Sequence, residues 1–284
     1  MIRAPLAASL LLLPALAAAE AAFVWEIEGG KAPMAVCGSI HVLPPDAHPL
    51  PPPFQSAYDR AEVVVFELLM DEMFQPAALR AVQEAMVRPA GSPDSLSPEL
   101  RQRLDGVLTE RGLPPAAFQN FKSWAVVQQL ALFELQKHGI SPAYGVDLHY
   151  TNLAKRDGKA RIGLETLQEQ LAFLQAMDAS GGERLLAESL DKLPRIKEDF
   201  DRLATAWRTG DREALASQMN EFFQSGPDLD ETLLRSRNRA WIPKLEELLQ
   251  SGRPSMVIVG AGHLCGPENV IELLEARGYR ASRP

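Results

Sequence analysis

Four short apolar runs, set apart by long stretches of helical pattern, constrain this chain more than any other feature. They are Ala35-Val36-Cys37, Val63-Val64-Val65-Phe66, Ala160-Arg161-Ile162-Gly163-Leu164 and Met256-Val257-Ile258-Val259. Runs this short and this rich in β-branched residues read as strands buried on both faces. So many residues separate them that hairpins cannot join them, and crossover connections must. The pattern predicts an α/β fold: one domain with a central, mainly parallel sheet, flanked by long helical insertions over about residues 71–158 and 167–250.

Within those insertions the helix signals are local. Ser97-Pro98-Glu99 reads as an N-cap, a proline at the first helical position and an acidic first turn, with Gly112 as the stop. Pro115 to Lys137 reads as one helix ended by Gly139. Thr166-Leu167-Gln168-Glu169 spells a capping box. Further helical patterns fill Glu183 to Trp207, Arg212 to Phe223 and Glu231 to Gln250.

The first residues carry a different message. Met1-Ile2-Arg3, an apolar run from Leu6 to Leu16 and the small residues Ala17-Ala18-Ala19 form a signal-peptide pattern over residues 1–19, with cleavage after Ala19 or Ala21. Residues 20–284 would then be the mature domain, exported to the periplasm or secreted. No later run approaches membrane-spanning length, so the mature chain is expected to lack a transmembrane segment. The formal charge is −8 and becomes one unit more negative without Arg3. An acidic chain without a basic cluster argues against nucleic acid as a partner. The two cysteines, Cys37 and Cys265, each flank a Gly-x-x-His motif, and export makes a disulfide between them a possibility beside two buried thiols.

Those motifs are Gly38-Ser39-Ile40-His41 and Gly260-Ala261-Gly262-His263. Each follows a strand run, and the other two runs are followed by Glu67 and Glu165. In open α/β sheets ligands bind outside the carboxyl ends of the strands, where residues far apart in sequence converge. Two histidines and a carboxylate are the first shell of many catalytic zinc sites, and a second carboxylate can act as general base. His41, His263 and Glu67 are the nominated ligands. Glu67 and Glu165 are the nominated catalytic carboxylates, with their roles left open. Asp147 and His149, on a helix after Pro142, are candidates for a supporting shell. His48 and His138 read as structural. Neither a His-Glu-x-x-His nor a Gly-x-Ser-x-Gly motif is present, and the glycines of Gly260-Ala261-Gly262 miss the dinucleotide fingerprint by one place at Gly266.

The motifs also match a known family. Cys37-Gly-Ser-Ile-His41-Val-Leu-Pro, Val64-Val-Phe-Glu67, Gly145-Val-Asp147, Leu164-Glu165-Thr, Arg237-Asn238-Arg-Ala-Trp241 and Val259-Gly-Ala-Gly-His263-Leu-Cys-Gly266 run in order along the chain. In this the sequence resembles the TraB/GumN family, which is related to the Tiki membrane proteases and more distantly to erythromycin esterases and ChaN-like haem-binding proteins. The resemblance implies a single α/β fold with helical halves packed around a sheet. It also implies metal-dependent hydrolysis, with His41, Glu67 and His263 at the matching positions and Glu165, Arg237 and Asn238 at further recurrent ones. Arg237 is expected either to pair with a carboxylate or to hold one on a substrate.

The expected function is that of a metal-dependent hydrolase acting on a peptide bond. Its divalent ion would be zinc, manganese or cobalt, since two imidazoles with carboxylates suit several metals, iron included. The competing expectations are a haem, iron or small-ligand binding protein using the same histidines, and a scaffold without catalysis. The expected partner is a peptide or small-molecule substrate.

Overall fold

The computed structural model describes residues 22–179, 181–224 and 228–284, so the leader read at 1–19 lies outside the described residues. Six strands form one sheet in the order β4-β3-β5-β2-β1-β6. They are β1 Val24–Glu28, β2 Met34–Ser39, β3 Val63–Phe66, β4 Ala160–Gly163, β5 Ser255–Gly260 and β6 Arg280–Ser282. The four runs nominated from the sequence are β2, β3, β4 and β5, and they are parallel to one another. The mixed α/β architecture with a mostly parallel sheet is therefore as the sequence implied.

The sheet also holds two strands that the sequence did not announce. β1 pairs antiparallel with β2, and β6 antiparallel with β1, so β1 alone runs against the rest. The reversal at β1 follows from a connection too short for a crossover. In that turn Gly29 has φ +106°, and a Cβ on Gly30 would sit 2.6 Å from the Leu249 carbonyl oxygen. Both positions require glycine.

Helix α1, Pro52–Arg60, carries the chain from β2 to β3. Between β3 and β4 lie α2 Met70–Met73, α3 Pro76–Met86, α4 Pro98–Glu110, α5 Pro115–Phe118, α6 Ser123–Gln136 and α7 Val146–Arg156. Between β4 and β5 lie α8 Leu167–Ala179, α9 Gly182–Lys192, α10 Ile196–Thr209, α11 Arg212–Phe223 and α12 Ser236–Gln250, and α13 Val270–Ala276 follows β5. The caps are where the sequence put them. Ser97 Oγ accepts the Leu100 N–H, and Thr166 and Glu169 exchange the two hydrogen bonds of a capping box.

Three long helical patterns are interrupted. Pro115 to Lys137 splits into α5 and α6 because Phe121 bridges to Val87 and the Lys122 N–H donates to the Met86 carbonyl, tying this segment to the end of α3. Glu183 to Trp207 breaks at the 3₁₀ turn Leu193–Arg195, where Pro194 supplies no N–H. Glu231 to Gln250 begins with a π-helical turn, Glu231–Arg235, before α12.

One large core joins the sheet to residues of α1, α7, α10, α12 and α13, with two satellite clusters beneath the helical insertions. The disulfide is not formed: Cys37 and Cys265 are free, buried thiols. Trp25 pairs with Val36, and the arginines beside Cys265, Arg212 and Arg283, lie over the Trp25 ring. Alternation along the strand sends Cys37 to the opposite face, toward Tyr150. Burial raises both thiol pKa values, that of Cys265 to about 12.

The capping box of α8 follows directly on Glu165. Thr166→Ala is expected to cost about 0.5–2 kcal/mol, read as a lowered melting temperature by circular dichroism.

Candidate active site at the strand ends

The strand order β4-β3-β5-β2 lines up four carboxyl ends as neighbours. Glu165 follows β4, Glu67 follows β3, His263 sits in the 3₁₀ turn Ala261–Leu264 after β5, and His41 follows β2. Residues spread over more than two hundred positions of sequence thus stand in one row.

Arg237, in the first turn of α12, ties the row together. Its Nε donates to Glu165 Oε1 at 2.8 Å, and its Nη2 to Glu165 Oε2 at 2.8 Å and to Glu67 Oε2 at 2.6 Å. Its Nη1 donates to the Leu233 carbonyl at 3.0 Å and lies 3.2 Å from His263 Nε2. Five N–H groups therefore have five acceptors, which is the whole donor capacity of a guanidinium. Leu233 lies in the π-helical turn, so that irregularity supplies one of the five. The guanidinium also packs against the rings of Trp241 and Phe173.

The two carboxylates differ in what remains free. Glu165 is 9% exposed, takes the bidentate Arg237 pair and accepts the Trp241 Nε1–H at 2.9 Å. It is committed to holding Arg237 and has little left to offer as a base or ligand. Glu67 is 8% exposed, and its second oxygen, Oε1, accepts the Gly260 N–H at 2.6 Å. Burial favours its neutral form. The neighbouring His263, Arg237 and His41 and the Gly260 amide outweigh that and lower its pKa to about 2.

Each histidine is oriented by an oxygen at Nδ1. His41 Nδ1 lies 2.8 Å from Asp147 Oδ2, and the other oxygen of Asp147 accepts the Ser39 hydroxyl. His263 Nδ1 lies 2.6 Å from Asn238 Oδ1, while Asn238 Nδ2 donates to the Glu268 carbonyl. Because that carbonyl can only accept, the Asn238 oxygen must face His263, which places the ring proton on Nδ1 and leaves the Nε2 lone pair to accept from Arg237 Nη1. His263 is 3% exposed, and its ring centre lies 4.4 Å from that of Trp241, the two planes tilted by 43°. Burial lowers its pKa to about 3 against the pull of Glu67, so it is neutral at pH 7. The His41 side chain is 65% exposed, and Asp147 raises its pKa.

Glycine makes this geometry possible twice. A Cβ on Gly145 would be driven into the His41 carbonyl oxygen, so only glycine lets α7 bring Asp147 under His41. A Cβ on Gly260 would sit 3.2 Å from Glu67 Oε1, 3.6 Å from His263 Cδ2 and 3.6 Å from His41 Nε2. The missing side chain leaves a cradle bounded by the three nominated ligands.

Among the described residues no three His, Cys, Asp or Glu side chains converge closely enough to hold a metal ion as placed. Arg237 reaches Glu67, Glu165 and His263 from one side. The donor types suit a divalent ion, two imidazoles with Nδ1 partners fixed and a carboxylate around the Gly260 cradle, but Arg237 holds His263 Nε2 and one Glu67 oxygen, so an ion would have to take the Nε2 lone pair from Arg237. It would also have to displace a proton from His41, whose pKa Asp147 raises to about 9. Trp241, Ser39 and the Gly260 amide join the site without having been nominated for it. Trp241 lies one helical turn beyond Arg237, the spacing at which two side chains share a face. His149 points away from this row, to His48, whose ring lies 4.9 Å from it.

Comparison with known proteins gives the family. The chain matches the TraB/PrgY/gumN family over residues 23–283. It belongs to that family. Relatives include the uncharacterized protein YbaP of Escherichia coli, 28% identical over 84% of this chain and 86% of that protein. The same protein in Shigella flexneri matches equally. An uncharacterized protein of Treponema pallidum is 22% identical over 93% of this chain and 83% of its own length. No solved structure matches the chain.

Two outcomes follow from the ion-pair geometry. Arg237→Met, which keeps the bulk but removes the charge, leaves two buried carboxylates unpaired and is expected to cost about 3–5 kcal/mol in denaturant melts. Arg237→Lys should restore little, since a lysine lacks the planar fork. The pH dependence has a defined sign. An unfolded chain protonates His263 below about pH 6.5 and Glu67 below about 4.5, whereas the folded chain resists both until about 3 and about 2. Stability therefore falls as pH drops below 6.5, and His263→Gln should abolish the upper part of that fall and, since His263 helps to lower the Glu67 pKa, shrink the part below 4.5, as measured by urea melts across pH.

Proposed function

We propose that this protein is a metal-dependent hydrolase that cleaves peptide bonds, with a divalent ion held by His41, His263 and Glu67. One observation carries the reading. Both imidazoles have Nδ1 engaged by an oxygen, His263 Nε2 lies 3.6 Å from Glu67 Oε1, and His41 Nε2 borders the same glycine cradle. Histidine ligands of metals are oriented in this way by outer oxygen partners.

Each residue then has a defined task. Glu67 is ionised down to about pH 2, which makes it a good ligand and a poor base. Arg237 fixes one oxygen of Glu67 and leaves the other toward the cradle. Glu165 serves as the anchor for Arg237, not as the auxiliary base the sequence nominated. Asp147 and Asn238 set the tautomers of His41 and His263. A divalent ion bound here would supply Lewis acidity and lower the pKa of a water on it toward about 7. Substrate reaches the site from the His41 side, the exposed end of the row. The signal-peptide pattern supports a periplasmic or secreted location for this activity.

The test is metal analysis of the purified chain together with hydrolysis of a fluorogenic protein substrate. His41→Ala and His263→Ala should each lower metal content and activity, and Asp147→Asn should weaken metal affinity about 10–100-fold. Metal content that ignores both histidines, with hydrolysis indifferent to chelation, would overturn the reading.

A further inference from the structure

The helical insertions enclose a cleft of about 380 Å³ between α6, α9, α10 and α11, away from the row of strand ends. Leu130, Leu186, Leu190, Leu193, Phe200 and Met219 form much of its wall. Most of these side chains belong to the satellite core beneath α4 and α9 or pack against the main one. A wall of this kind offers no polar partner to a peptide backbone and suits a hydrocarbon chain. The volume falls within the range of small-molecule pockets, about 300–1,000 Å³.

The rim has a different character. Lys192, Arg195 and Arg202 line it together with Asp199 and Glu221. Arg202 donates to Asp199 at 2.7 Å and Arg195 lies 3.4 Å from the same carboxylate, so two guanidiniums share one acid. Lys192 Nζ donates to the Glu221 backbone carbonyl, not to its carboxylate. Positive charge is in excess around an apolar cleft, in a chain whose formal charge is −8.

We propose that this cleft binds a single-chain amphiphile with an anionic head, a long-chain carboxylate being the simplest case. The hydrocarbon occupies the space walled by α6, α9 and α10, and the head meets Arg195, Arg202 and Lys192 at the mouth. This goes beyond the hydrolase reading and does not rest on it.

The experiment uses the full chain and two fluorescence measurements. Cis-parinaric acid is titrated to saturation, then displaced by oleate and, separately, by methyl oleate. Saturation at one equivalent is expected, with oleate displacing at least tenfold better than its uncharged ester. The pair Arg195→Glu and Arg202→Glu should weaken oleate at least tenfold without moving the melting temperature. Ala131→Trp, which fills the cleft from a half-buried position on α6, should abolish binding. His41→Ala should leave oleate binding unchanged, which separates this proposal from the hydrolase one. Uptake that does not saturate, equal displacement by oleate and its ester, or indifference to both the rim and the cleft variants would overturn it.

Discussion

The site depends on one buried guanidinium. Arg237 bridges Glu67 and Glu165, and it also approaches His263. Removing two carboxylates from water is costly, and their attraction to a cation offsets that cost only when every hydrogen-bonding group is satisfied. Here the satisfaction is complete on the arginine side, since the π-helical turn supplies the fifth acceptor. The same contact adds to the ionisation of Glu67 and to the neutral state of His263, which burial mainly sets, and it holds α12 against the strand ends. Replacing Glu165 would alter Glu67 through Arg237 without the two acids touching.

Sheet order and glycine do the positioning. Parallel strands deliver their carboxyl ends to one side, and the order β4-β3-β5-β2 makes those four ends adjacent. Gly145 then lets α7 close on the His41 loop, where the Val146 N–H donates to the Ile40 carbonyl at 3.1 Å. From the other side of the chain, Trp207 on α10 donates its indole N–H to the Gly38 carbonyl at 2.7 Å. The first histidine motif is thus gripped by both helical insertions.

Much of this was legible in the chain, for reasons that differ by residue. The four parallel strands were visible because burial on both faces leaves an unbroken apolar run. β1 was missed because Glu26 and Glu28 interrupt it, and β6 because three residues carry no pattern. Ser97 and Thr166 marked helix starts by local hydrogen bonding, which sequence encodes directly. Glu67 stood out as a charge abutting four apolar residues, and Asp147 as an acid on the helix after Pro142. The pairing of Arg237 with two carboxylates was beyond reach, because it requires knowing that β3 and β4 are neighbours. The sequence left the role of Glu165 open for that reason: its partner is an arginine 72 positions away. Likewise the cysteines flank adjacent motifs, but strand alternation sends them to opposite faces.

The row of strand ends has a direction. Neighbouring strands lie about 4.8 Å apart, so four ends span about 14 Å, roughly the reach of four extended residues. Along that distance the surroundings change from closed to open: Glu165 and Glu67 are almost wholly enclosed, whereas most of the His41 ring meets solvent. Charges at the enclosed end act at full strength because no water screens them, while those at the open end are damped by solvent. The protein therefore grades the screening of its charges along the sheet edge, least at Glu165 and most at His41.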